Sequence, residues 1–318
     1  MIVWCAAGPD LGVGHLSRCA TLCRALVDAG QAPLLLVEAA QAYPAFASRA
    51  KCEVAWVEGR EAAWAVLASR SGGLLVTDLL GLSVADSARA RTLGFGDLAH
   101  INDSLNGYAA DLLVDTDVTP SAAAPAGVEV LAGAAWHMVR SDVTAARPAI
   151  PWWGAKAETV LLAFGGADPA RATEALVASL ADGPLKVTAA LGPAMPQSRK
   201  DALRRARGAT FVDAPEAMSE LILSHDLIVT LGGLTSYEAM VLGRPVACVS
   251  WRNMAPYVAL LAQAGVAADL GLVETAASAV LALAEDGPRL SALARKGFET
   301  VDGEGARRVA EVLIGKVA

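Results

Sequence analysis

The sequence predicts an α/β protein built from two doubly wound domains, and three observations predict it. Short apolar runs ending in Gly, Asp or Asn alternate with longer helical patterns, the rhythm of βαβ units in a parallel sheet covered on both faces. That series occurs twice, with an aperiodic stretch between. The length of 318 residues suits two domains at roughly 100–200 residues each.

The first series starts with an apolar run at Ile2–Ala6, followed by a helical pattern from about His15 to Ala29. Pro33–Val37, a further helix, Leu74–Thr77, Leu98–Ile101 and Asp111–Val114 continue it. The first domain is expected over residues 1–143. Residues 144–157 hold Pro148, Pro151 and Gly154 without periodicity and read as a linker. The second domain, 158–318, repeats the rhythm with strands at Thr159–Phe164, Lys186–Leu191, Thr210–Val212, Asp226–Leu231 and Pro245–Ser250. Helices are expected from about Ala170 to Leu180, up to Arg205, and from Thr275 onwards. Ligands of such sheets sit at the carboxyl ends of the strands, here in a cleft expected between the two halves.

Composition excludes several function classes. Hydrophobic residues are 54% against 19% charged, which rules out an intrinsically disordered chain. The mean hydropathy of +0.43 comes largely from alanine and valine. No apolar stretch reaches the roughly 18–20 residues of a spanning helix, so no membrane insertion is expected. Lys plus Arg is 26 and Asp plus Glu 33, a formal charge of −7 with no long basic run, so nucleic acid is not an expected partner. The five cysteines, Cys5, Cys19, Cys23, Cys52 and Cys248, form no CxxC pair. They read as reduced, buried thiols of a cytoplasmic protein.

Chemistry concentrates at strand ends. Gly12 and Gly14 permit a tight turn and close backbone approach between the first strand and helix, and place His15 at the helix start. The macrodipole there disfavours imidazolium, which suits a general base; a capping histidine is the bland alternative. The spacing is not the GxGxxG dinucleotide pattern, because Ser17 stands in its last position. Asp78 and the Asn102-Asp103 pair end two further strands, where a carboxylate can orient the imidazole or bind a sugar hydroxyl, or simply cap a helix. His100 and His225 read as structural, and the four histidines have no metal-ligand spacing. In the second half, Gly165-Gly166 with Asp168 follows one strand and Gly232-Gly233 follows another. The second pair opens a helix whose amide groups can receive a diphosphate. Thr235 and Ser236 add hydroxyls there, and Glu238, one turn on, can take the two ribose hydroxyls. Asn253 would extend the same rim.

Together these residues resemble the UDP-sugar hydrolases of pseudaminic acid biosynthesis, a family with flagellin-modification relatives and, more distantly, the MurG-type glycosyltransferases. The carriers are Gly12-x-Gly14-His15-x-x-Arg18-Cys19, Asp78, Asn102-Asp103, Gly133-x-x-Trp136-x-x-Val139-Arg140, Phe164-Gly165-Gly166-x-Asp168, Gly232-Gly233-x-Thr235-x-Tyr237-Glu238 and Asn253. The resemblance spans most of the chain. It implies a GT-B-like fold of two Rossmann-like domains and hydrolysis of a UDP-sugar to UDP and a free acetamido-deoxysugar, with no metal and no cofactor. On this reading His15 activates water. Gly14, Arg18, Asp78, Asp103 and Asn253 hold the sugar, and Gly165, Gly166, Gly232, Gly233, Thr235, Ser236 and Glu238 hold the nucleotide. A GT-B glycosyltransferase using the same site, or a noncatalytic nucleotide-sugar-binding protein, is the alternative.

Overall fold

The computed structural model describes residues 1–8, 11–101, 107–120, 126–215 and 217–317. The chain divides into two compact units, Met1–Arg140 with Glu304–Ala318, and Ser141–Gly303.

The first unit is a seven-stranded parallel sheet of β1 (Ile2–Ala6), β2 (Leu34–Glu38), β3 (Glu53–Val57), β4 (Gly73–Asp78), β5 (Phe95–Ile101), β6 (Leu112–Asp115) and β7 (Glu129–Ala132). The order across the sheet is β3-β2-β1-β4-β5-β6-β7. The order reverses between β1 and β4, which pair in parallel with Cys5 opposite Asp78. That reversal opens a crevice at the carboxyl ends of these two strands. Helix Gly14–Asp28 returns from β1 to β2, burying Leu16, Cys19, Ala20, Cys23 and Leu26 at helical spacing. On the sheet's apolar face Trp4 and Trp64 meet edge to face, with ring centroids 5.0 Å apart.

The second unit is a six-stranded parallel sheet of β8 (Thr159–Leu162), β9 (Lys186–Leu191), β10 (Ala209–Asp213), β11 (Leu227–Thr230), β12 (Val246–Ser250) and β13 (Ala268–Leu272). Its order is β10-β9-β8-β11-β12-β13, so the reversal falls between β8 and β11. The core joins Val160, Leu162, Val187, Val229 and Val249 to Leu176 and Val280 of the covering helices.

Two boundaries differ from expectation. The C-terminal helix Gly305–Val317, assigned by sequence to the second domain, belongs to the first unit. There it packs on helix Gly14–Asp28, with Val309, Ala310 and Leu313 buried. Gly305 permits this docking, since a β-carbon there would strike the His137 carbonyl. The expected linker 144–157 is part of the second unit. Arg147 donates to the carbonyls of Val241, Phe298 and Val301, and the Trp152 amide donates to Gly243. The Asp226 carboxylate accepts from Trp152 Nε1 and from the Glu158 and Thr159 amides.

Candidate functional site

His15, Arg18 and Asp78 fall at the β1–β4 reversal, and Gly165, Gly166 and the segment Gly232–Glu238 follow the two strands of the β8–β11 reversal. In the first unit, Gly8 and Gly12 exchange backbone hydrogen bonds and close a tight loop, with Gly12 at φ +74°. Helix Gly14–Asp28 starts directly after it, and Gly14 is exposed, with open space where a β-carbon would stand. His15, Arg18 and Cys19 occupy positions i, i+3 and i+4, one face of the helix. That face meets the end of β4, and all three side chains converge on Asp78.

The contacts are short and share one carboxylate. His15 Nδ1 lies 2.7 Å from Asp78 Oδ1. Arg18 donates to the same carboxylate twice, Nε to Oδ2 at 2.8 Å and Nη2 to Oδ1 at 2.7 Å. The Cys19 thiol donates to Oδ2 at 3.5 Å. Asp78 is 1% exposed, against 23% for the His15 side chain. Burial pushes the Asp78 carboxyl up, but the Arg18 and His15 charges and their hydrogen bonds outweigh it, leaving Asp78 well below the usual carboxylate range. An ionised carboxylate only accepts, so Nδ1 carries a proton and Nε2 of the neutral ring is the acceptor.

Asp78 therefore stands as a support for His15. Four donors fill its two oxygens, and a sugar hydroxyl has no acceptor left there. Arg18 likewise spends Nε and Nη2 on Asp78. Nearby, His137 is buried and hydrogen bonded through Nδ1 to the Thr116 carbonyl at 3.2 Å. Burial and the Arg18 charge push its pKa down to about 3, so this second imidazole is neutral. Sequence singled out Trp136 and Arg140 around His137 but not His137 itself. Asp103 and its neighbour Asn102 lie outside the described residues.

In the second unit, the loops after β8 and β11 flank the reversal. Gly165 is exposed at φ +79° with open space at its missing β-carbon. Gly192, after β9, packs against the Gly165 and Gly166 carbonyls, and Ala194 N donates to Gly166 O at 2.9 Å. This close approach requires glycine at 192, whereas Gly165 is required by its positive φ. Asp168 is buried and structural: it accepts from the Ala172 and Thr173 amides, capping helix Ala172–Leu180, and pairs with Arg199 at 2.8 Å.

Gly233 caps helix Leu234–Val241 with φ −84° and nothing within 4 Å of a β-carbon position. Gly232 is at φ +85°, its amide donating to Thr230 Oγ1 at 3.0 Å. Thr235 is half-buried near the open end of the helix. Ser236, expected to serve the ligand, is completely buried. Its hydroxyl is 2.7 Å from Thr230 Oγ1, and Cys248 completes the cluster, so Ser236 braces the turn from behind. Glu238 is 8% exposed and engaged within the protein. The Asn253 backbone lies in the 3-10 turn Arg252–Met254, and its side chain is outside the described residues.

His100 is buried in β5 with Nδ1 2.8 Å from Thr77 Oγ1, and His225 Nδ1 lies 2.7 Å from the Leu221 carbonyl, both structural placements. Among the described residues, no group of three His, Cys, Asp or Glu is arranged to hold a metal ion, and no helix is long and apolar enough to cross a membrane.

No family model and no curated protein matches the chain. Solved structures do. MurG of Acinetobacter baumannii is similar over 99% of both chains, with a TM-score of 0.64 and 16% identity. Phytolacca americana UGT2, complexed with UDP-2fluoro-glucose and pterostilbene, is similar over 99% of this chain and 98% of that one, at TM-score 0.66 and 15% identity. MnaA of S. aureus with UDP is similar over 97% and 94%, at TM-score 0.69 and 13% identity. At such identities the likeness establishes architecture, and by architecture the chain is a protein of two parallel-sheet α/β units with the GT-B fold.

Proposed function

We propose that the protein is a metal-independent UDP-sugar hydrolase that releases UDP and a free acetamido-deoxysugar by attack of water at the anomeric carbon. The observation that carries this reading is His15, fixed through Nδ1 by an ionised Asp78 that Arg18 clamps, with Nε2 left as the proton acceptor. Water gives its proton to Nε2 as its oxygen bonds to the anomeric carbon, and the bond from that carbon to the β-phosphate oxygen breaks. The electron pair leaves on UDP. A diphosphate is a good leaving group, so the site's second task is to stabilise its charge, not to protonate it. The amide groups at Gly233 and the start of helix Leu234–Val241 suit that task, with Gly165 and Gly166 across the β8–β11 reversal. Glu238 is assigned to the ribose and Thr235 to the phosphates. Gly14, Asp103 and Asn253 are assigned to the sugar. Two of the similar structures hold UDP or a UDP-sugar analogue, which supports the nucleotide class. The resemblance of the glycine-histidine loop to pseudaminic-pathway hydrolases supports water as the acceptor and an acetamido-deoxysugar as the glycosyl group.

Transfer to an acceptor hydroxyl would use the same histidine, and one observation favours it: the similar UGT2 structure is complexed with both UDP-2fluoro-glucose and pterostilbene. Incubation with UDP-acetamido sugars in the absence of any acceptor separates the readings. Release of UDP and free sugar supports hydrolysis. Release only when an acceptor is added establishes transfer, and UDP binding with no turnover under either condition establishes a binding protein.

A further inference from the structure

A diphosphate at the carboxyl end of the second sheet brings negative charge, and the glycine turn after β11 answers it with backbone dipoles alone. No Lys or Arg occurs from Leu231 to Val241. Arg199, beyond β9, spends its guanidinium on Asp168, Glu174 and the Ala167 carbonyl. Arg171, after β8, reaches Glu174 at 3.3 Å. Arg252, which follows β12, is placed differently.

Strands β11 and β12 pair in parallel with Thr230 opposite Cys248, so their carboxyl ends emerge side by side. The glycine turn leaves one, and Trp251-Arg252 leaves the other. Packing ties the two turns together: a β-carbon at Gly232 would lie 3.2 Å from Val258 and 3.7 Å from Leu261 of helix Ala255–Gln263, which starts directly after the turn Arg252–Met254. Arg252 is exposed, and its guanidinium carbon rests 4.8 Å from the centre of the Trp251 ring. Among the described residues, no carboxylate pairs with it. Asp269, on the neighbouring β13, accepts from Ser250 Oγ and the Gly271 amide instead. A guanidinium lying on a ring face keeps its N–H edge available to other acceptors. The Arg252 backbone also stands at φ +44°, a left-handed conformation that a bulky residue adopts only at a cost.

We propose that Arg252 is a diphosphate-binding residue: its N–H edge, steadied by the Trp251 ring, donates to the phosphoryl oxygens of UDP and takes up the charge that collects there when the glycosyl bond breaks. The planar fork of donors matches the paired oxygens of a phosphoryl group. The assignment rests on the UDP reading above, and it supplies the cation that the glycine turn lacks.

The probe is UDP alone, titrated by calorimetry into the full chain, with thermal unfolding measured in parallel. Arg252→Asn is the diagnostic variant, because asparagine tolerates the left-handed backbone. Its melting temperature should equal or exceed that of the wild type, while UDP affinity falls by about 10- to 100-fold, the loss of one charge-assisted contact. Arg252→Lys, which keeps the charge without the fork, should recover part of that affinity. Because UDP alone undergoes no turnover, the result is independent of whether water or an acceptor completes the reaction. Wild-type protein that binds no UDP overturns the nucleotide reading and this assignment with it. Equal UDP affinity in wild type and Arg252→Asn overturns the assignment alone, as does an affinity lost only together with thermal stability.

Discussion

Asp78 accepts from His15, from two nitrogens of Arg18 and from the Cys19 thiol, and each of these donors would lose its partner at a stroke if the carboxylate were removed. Asp78→Asn presents an amide that repels Arg18 and no longer holds the Nδ1–H tautomer. It should destabilise the first unit by on the order of 3 kcal/mol, since a largely buried charge is left unpaired, and lower turnover while sparing UDP affinity. His15→Asn should leave both stability and UDP affinity nearly intact and lower turnover by about 10²- to 10⁴-fold, the range for a positioned proton acceptor. Calorimetry for UDP, steady-state kinetics and urea unfolding on both variants check the contrast. The depressed Asp78 carboxyl contributes stability that is complete above its ordinary value of 3.8 and lost only below it, so it adds no titration step to activity above about pH 4. His137 behaves differently. Its folded value of about 3 lies below the ordinary 6.5, so between these values the unfolded chain binds the extra proton. Stability is then full above about pH 6.5 and falls by up to about tenfold in the folding constant per pH unit below it. Unfolding of His137→Gln should lack that slope; an unchanged slope from pH 6.5 to 4.5 would assign it to other groups. Sequence placed His15 at a helix start and Asp78 at a strand end, left Asp78 between orienting the imidazole and holding the sugar, and gave Arg18 to the sugar. The pairing spans sixty residues of chain, and only the register of β1 beside β4 brings the partners together.

At the scale of elements, every interior strand was legible in sequence, and of the four edge strands only β10 was. The three that sequence did not mark, β3, β7 and β13, are all sheet edges, where one side meets solvent and the apolar run breaks. Glu53, Glu129 and Asp269 are exposed within them. The glycine turns were legible as turns, but their division of labour was not. Gly233 faces open space with an ordinary φ, so Gly233→Val should fold normally and weaken UDP binding by steric obstruction at the amide groups. Gly192→Ala, in contrast, drives a methyl into the Gly165 and Gly166 carbonyls and should destabilise the second unit by about 1–3 kcal/mol. Paired calorimetry and denaturation would expose any reversal of these two phenotypes. Ser236→Ala belongs with the second class: it removes a buried hydroxyl from the Thr230 cluster, an unmade bond of about 1–3 kcal/mol.

For the whole molecule, the duplicated α/β series was readable from alternation alone, whereas the return of the final helix was not. Its apolar stripe, including Val309, Ala310 and Leu313, marks it as buried without naming its partner, and only the tertiary structure assigns it to helix Gly14–Asp28. Deletion of residues 304–318 should therefore loosen the first unit and leave the second protected, measured as faster amide exchange in β1 and β4 but not in β8 and β11. Protection lost only in the second unit would contradict that assignment. The two reversals, β1 with β4 and β8 with β11, carry separate halves of the proposed chemistry, proton acceptance and diphosphate binding. The most direct test joins them: purified protein is supplied with a panel of UDP-acetamido sugars, no acceptor and no added metal, and UDP and free sugar are quantified together. The expected result is equimolar UDP and free sugar from at least one substrate, lost in His15→Asn while that variant still binds UDP. UDP release that requires an acceptor, or that persists undiminished in His15→Asn, would contradict water activation by this histidine.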